Sequence, residues 1–132
     1  MLPEDVVFFL DRNMGSKVFP QLLRDADLQI EVHDAHFAQD TPDADWLRVA
    51  GERGWVVVTA DRQLKYNQVE WSTMLTNKVK AFAFTSKNQT AKEMAQAFLE
   101  ALPEILRLLE DNPDPFIATI LKSGAVRIWK KA

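Results

Sequence analysis

Three aspartates stand where a folded chain could use them together. Asp11 follows the apolar run Val6-Val7-Phe8-Phe9-Leu10. Asp43 falls just inside a helix start at Thr41-Pro42, and Asp61 comes two residues after Trp55-Val56-Val57-Val58-Thr59. Carboxylates brought to one place repel each other, and the ion that usually relieves them is hard and oxygen-seeking, Mg2+ or Mn2+. Each acid also has a plain structural use. Asp43 suits the positive end of a helix, Asp61 could cap the helix after it, and Asp11 could close an Asx-turn. The three taken jointly point to a metal.

Asp45 competes with Asp43. Residues three and four apart share a helix face, so Asp43 lies on the stripe of Trp46, Leu47 and Ala50. Asp45 is turned about 200° away, towards Arg48 and Glu52. Asp43 is the better candidate of the two. His33 and His36 fall in a polar loop, His33 to Asp40, without a partner at a zinc spacing. The absence of cysteine excludes disulfides, thiolate zinc sites and thiol nucleophiles. Gly15, Gly51, Gly54 and Gly124 fit no nucleotide fingerprint, and no serine sits in a nucleophile elbow. Trp46, Trp55 and Phe98 read as core.

Periodicity supplies the elements that would carry these residues. Val6–Leu10 is an apolar strand, and a helix from Gly15-Ser16 to about Ala26 has Pro20 in its first turn. Leu28–Val32 alternates with period two and reads as a less buried strand. Thr41 is the expected N-cap of the next helix, with Pro42 at its first position and its end near Gly54. Trp55–Thr59 is a third strand. Leu64 to about Leu75 reads as one helix with Tyr66, Val69 and Met74 among its apolar positions. Val79–Phe84 is a fourth strand. Thr90 and Glu93 form a capping box that opens a long helix, with Met94, Phe98, Leu102, Ile105 and Leu109 on one face. Pro103 should kink it, and Asn112-Pro113-Asp114-Pro115 should stop it. Phe116–Leu121 and Ala125–Trp129 read as a hairpin appended to the sheet.

Alternating strands and helices imply an α/β fold in three layers: a central, mostly parallel sheet flanked by helices, with a C-terminal β-hairpin. Ligands of such sheets bind beyond the carboxyl ends of the strands. Asp11 and Asp61 leave strands at that edge, and the helix bearing Asp43 begins there. Chain direction alone therefore delivers all three acids to one rim.

The chain of 132 residues, 47% hydrophobic, suits a single domain over 1–132. Its start lacks the basic region of a signal peptide, and no apolar run approaches a membrane span, so no membrane role and a cytoplasmic location are expected. The net charge of −3 hides an asymmetry. Residues 1–64 hold six Lys and Arg against twelve Asp and Glu; residues 65–132 hold ten against seven. An acidic half beside a basic one fits a cation site next to a surface for a polyanion.

Asp11-Arg12-Asn13 after an apolar strand resembles the D-x-N opening of PIN domains, and Thr59-Ala60-Asp61 resembles their later T-x-D motif. FFLDRN, PDADW and GWVVVTADR in this order are similar to the compact PIN-like branch found among VapC-type toxins. The resemblance covers nearly the whole chain. It implies a Mg2+- or Mn2+-dependent ribonuclease, an RNA substrate, an antitoxin protein as partner, and a chain that can form homodimers. Asp11, Asp43 and Asp61 match the acidic metal ligands and catalytic residues. Asn13 matches the residue supporting the first acid, Thr59 the motif threonine, and Arg12 stands at a variable position beside them. Related sequences often carry a further acid two residues after the T-x-D aspartate. Here that place is Gln63, which bears on full two-metal catalysis.

Two other classes compete. One is a catalytically degraded PIN-like module serving protein interaction. The other is a receiver-like signalling domain, against which Asp11 is followed by Arg12 rather than an acid, and Phe84-Thr85-Ser86-Lys87 imitates the receiver lysine segment only loosely. The apolar hairpin is expected either to dock a partner or to complete the core.

Overall fold

The computed structural model describes residues 1–86 and 88–132, with Lys65 described by its backbone alone. The receiver comparison at Lys87 lies outside the described residues.

Six strands form one sheet in the order β2-β1-β3-β4-β5-β6. They are β1 (Val7–Leu10), β2 (Gln29–Val32), β3 (Val56–Thr59), β4 (Lys80–Phe84), β5 (Phe116–Ile120) and β6 (Val126–Lys131). The first five are parallel and β6 is antiparallel to β5. The helices are α1 (Val18–Asp25), α2 (Asp43–Glu52), α3 (Gln68–Asn77) and α4 (Ala91–Asp111).

Strand alternation divides the core in two. Phe8, Leu10, Val58, Phe82, Phe84 and Phe116 face α1 and α4, where they meet Phe19, Leu23, Phe98 and Ile105. Phe9, Val57, Ala81, Ala83 and Ile117 face α2 and α3, where they meet Trp46, Leu47, Ala50 and Met74. On the second face β4 contributes only the small side chains of Ala81 and Ala83, which share their core with Met74 of α3. Gly51 matters between the helices: a Cβ there would stand 2.3 Å from the Asn77 carbonyl oxygen, so only glycine permits this approach of α2 to the end of α3. The two helices thus locked together carry Asp43 and Glu70.

Several expectations need correction. Pro42, not Thr41, is the cap residue of α2, and it makes no side-chain cap bond. The Thr41 carbonyl instead accepts a hydrogen bond from Arg12 Nη1 at 3.1 Å, which holds Thr41 outside the helix. The segment after β3 is not one helix. A 3-10 turn over Leu64–Tyr66 comes first, and Asn67 then caps α3 by accepting the Glu70 N–H. Tyr66 and Val69 are exposed rather than core positions. The hairpin is no appendage: β5 lies inside the sheet with every residue buried, because its parallel pairing to β4 covers one edge and β6 the other. α4 continues from Ala91 to Asp111 through Pro103, with the Thr90–Glu93 capping box at its start.

Candidate metal centre

β1 and β3 are neighbours, so their carboxyl ends open side by side. The Asp11 N–H still bonds to the Val58 carbonyl at 3.0 Å, extending the ladder by one step and setting Asp11 at the rim. Thr59, buried at the end of β3, ties the two strand ends together. Its hydroxyl donates to Asp11 Oδ2 at 2.9 Å and accepts the Asp61 N–H at 3.0 Å. Asn13 bridges the same strands: its Oδ1 accepts the Ala60 N–H at 3.2 Å and its Nδ2 lies 3.4 Å from Thr59 Oγ1. Asp61 Oδ1 accepts the Gln63 N–H at 2.9 Å, an Asx-turn that leaves its other oxygen clear of the backbone.

One oxygen each from Asp43, Asp61 and Glu70 lies within 4.8 Å of the others. Two oxygens on one divalent ion stand at most about twice the bond length apart, roughly 4–5 Å. These three are therefore already at ligand spacing. Glu70 is the residue that sequence reasoning missed. Its Oε2 is buried without a hydrogen-bond partner, in a residue only 7% exposed. A buried, orphaned carboxylate oxygen on a residue grouped with two other carboxylates fits a cation. The chemistry of the set, all hard oxygen with no nitrogen or sulfur, suits Mg2+ or Mn2+. The available signal was Asn67, whose side chain three residues before an acid marks a helix start and puts Glu70 in the first turn.

Asp11 is not one of the three at that spacing. Both its oxygens are engaged, Oδ1 by the Arg12 N–H at 2.6 Å and Oδ2 by Thr59. Burial pushes its carboxyl above the usual range, against the hydrogen bonds from Thr59 and Arg12, and the charge of Asp43 adds to the rise. Asp43 behaves oppositely. Burial works to raise it, but hydrogen bonds from Glu70, Trp46 and Arg12 outweigh that and hold it low. Trp46 Nε1 donates to Asp43 Oδ1 at 2.9 Å and Arg12 Nη2 at 3.0 Å. Glu70 is pushed up to about 8, first by burial, then by its bond to Asp43 and the charges of Asp43, Asp61 and Asp11. In the ion-free site at neutral pH, Glu70 keeps a proton that Asp43 accepts.

Arg12 is a brace. Besides Asp43 and Thr41, its Nη1 meets His33 Nε2 at 3.3 Å, and since guanidinium can only donate, the ring nitrogen accepts. His33 is buried, far from the loop surface expected for it. His36 pairs with Glu31 at 2.7 Å, so the two histidines do not form a metal pair. Asp45 is exposed on the outer side of α2, as the helix phase requires.

The model of a family described as PIN like domain matches residues 6–86. That span holds the whole rim, from Asp11 to Glu70. The chain belongs to the PIN-like family. A protein of Mycobacterium tuberculosis (strain ATCC 25618 / H37Rv), named "Putative ribonuclease VapC45", is 32% identical over 124 residues, covering 91% of this chain and 89% of that protein. The likeness therefore extends past the family match into α4 and β5. No solved structure matches the chain. As in the PIN-like reading of its motifs, the acids gather at the carboxyl edge of a parallel sheet. No described helix is long and apolar enough to cross a membrane.

Proposed function

We propose that this PIN-like chain is a Mg2+- or Mn2+-dependent endoribonuclease that hydrolyses RNA phosphodiesters, acting as the toxin of a toxin–antitoxin module in the cytoplasm. The observation that carries the proposal is the ligand-spaced set of Asp43, Asp61 and Glu70, together with the buried, unpartnered Oε2 of Glu70. The named similarity to a VapC protein supports the RNA substrate and an antitoxin partner.

Asp43, Asp61 and Glu70 would hold the ion, with Asp11 at its side. A divalent ion there supplies an acidified water and positive charge for the phosphate. Glu70 must release its proton as the site loads. Trp46 and Arg12 pin one oxygen of Asp43, leaving its other oxygen for the shared site. Asp11, though bonded on both oxygens, keeps spare lone pairs to orient a water. Asn13 and Thr59 tie the Asp61 loop to the Asp11 turn, so the acids from two strands keep one geometry.

The degraded-module reading rests on Gln63. Its N–H holds Asp61 in place, and Glu70 provides a further carboxylate from another element. Cleavage of labelled RNAs tests the proposal. Strand scission is expected with Mg2+ or Mn2+ and none in chelator. Asp61→Asn should abolish it while leaving the melting temperature within a few degrees of the parent. Metal-independent cleavage, or an active Asp61→Asn, overturns the proposal.

A further inference from the structure

Between Arg62 and Lys92 the chain contains a single acid, Glu70, and after Asp114 it contains none. Glu70 belongs to the metal centre and is buried there. The 3-10 turn over Leu64–Tyr66, the outer side of α3 and the strand β6 therefore present no acidic side chain to solvent. The opposite holds beyond α2, where Asp34, Asp40, Asp45 and Glu52 are exposed.

The same acid-free strip carries aromatic rings. Tyr66 is 64% exposed, and its ring meets Trp129 edge to face, with centroids 6.0 Å apart and planes at 81°. Trp71 on α3 lies beneath the Lys130 ammonium, 4.9 Å from its ring centroid. Trp71 and Trp129 are half-buried against the core shared by α2 and α3, so both rings are anchored from below. Pairing in the hairpin sets Arg127 opposite Thr119 and Lys130 opposite Ile117, which places both cations on the α3 side of the sheet. Tyr66 follows Asp61 by five residues and precedes Glu70 by four, so the aromatic strip joins the metal centre through one short turn.

Anchored rings beside cations, with no acid among them, suit a strand of nucleotides whose bases are unpaired. Every base has a π-face to stack, and the backbone supplies the negative charge. A duplex hides its base faces and could use only the cations. We propose that Tyr66 and Trp129 form a stacking platform for an unpaired base of single-stranded RNA, flanking the cleaved bond, while Arg127 and Lys130 hold the neighbouring phosphates. The inference rests on the ribonuclease reading and adds to it a base-stacking subsite built from residues of the 3-10 turn and the hairpin, outside the metal centre.

Equilibrium binding of a labelled single-stranded RNA of about ten nucleotides, in chelator so that nothing is cut, tests it. The parent is expected to bind with affinity that falls steeply with salt, and Lys130→Ala to lower that slope by about one. Tyr66→Ala should weaken binding by about tenfold or more, and Tyr66→Phe, which keeps the ring, should bind like the parent. With abasic sites in place of the bases, parent and Tyr66→Ala should bind alike. Tyr66→Ala with parental affinity, or with the same loss on abasic RNA, overturns the platform. So does unchanged RNA affinity alongside lost binding of a partner protein, which would make the strip a protein interface. Cleavage with Mg2+ run in parallel separates the two readings. Platform-dependent binding without cleavage fails the nuclease alone; cleavage with an indifferent Tyr66→Ala fails the platform alone.

Discussion

Glu70→Gln isolates the charge conflict at the centre of the site. In the ion-free protein the Glu70 carboxyl is raised from 4.5 to about 8, by burial first and then by the bond and charge of Asp43. In the unfolded chain it ionises near 4.5, so between these values the unfolded state releases a proton that the folded state keeps. The Glu70 contribution is thus fully present below pH 4.5 and is lost as pH rises through about 8. Linkage puts the cost at pH 7 at about 3 kcal/mol. The lowered carboxyl of Asp43 acts in the other direction, and solvent reaches the rim, which together leave roughly 1–2 kcal/mol. Glutamine keeps the shape and a donor for Asp43 but removes the titration. In chelator, Glu70→Gln should match the parent near pH 5 and melt roughly 5 °C higher at pH 8–9. Adding Mg2+ should reverse the order, since an ion that binds only the folded state stabilises it in proportion to ln(1 + [L]/Kd). The variant lacks one of three ligands and should gain less. A variant that melts below the parent at pH 9 in chelator, or that gains as much from Mg2+, would refute the reasoning.

Other expectations rest on single contacts. Gly51→Ala puts a Cβ 2.3 Å from the Asn77 carbonyl oxygen, so α2 and α3 must separate. A loss of about 1–3 kcal/mol in urea unfolding is expected, with weaker Mg2+ binding; an unchanged midpoint would show that the helices give way freely. Arg12→Ala removes a cation 3.0 Å from Asp43, and calorimetry should find Mg2+ bound about fivefold more tightly. Weaker binding would mean that Arg12 serves mainly to aim Asp43. Deleting residues 115–132 removes the interior strand β5, all of it buried, and should leave an unfolded product by circular dichroism. A folded, soluble truncation would return the hairpin to the status of an appendage.

Chain direction in a parallel sheet is a property of the sequence pattern, so the placement of Asp11, Asp43 and Asp61 at one edge was legible without a structure. So was the outward turn of Asp45, which needs only the helical phase, and the start of α4, where Thr90 and Glu93 cap each other locally. Three consecutive valines suit a strand covered on both faces, and β3 is buried along its whole length. Local pattern failed where a distant partner decided the outcome. Thr41 looks like a cap by type, but its carbonyl belongs to Arg12, 29 residues away. The apolar hairpin was compatible with a docking surface for a partner or with a core strand, and only pairing to β4 makes β5 interior.

Glu70 is the clearest division. In the sequence it is one acid within a segment that reads as helix from Leu64, whereas α3 starts only after the Asn67 cap. Starting α3 at Gln68 turns Glu70 inward, and its carboxylate then stands at ligand spacing from Asp43, while the far ends of α2 and α3 meet at Gly51 and Asn77. Carboxylates repel, so no local preference gathers them. The sequence determined which edge of the sheet would be acidic through the order and direction of its strands. Only the tertiary packing of α2 on α3 decided which three acids share one point, because burial of apolar faces elsewhere supplies the free energy that holds like charges together.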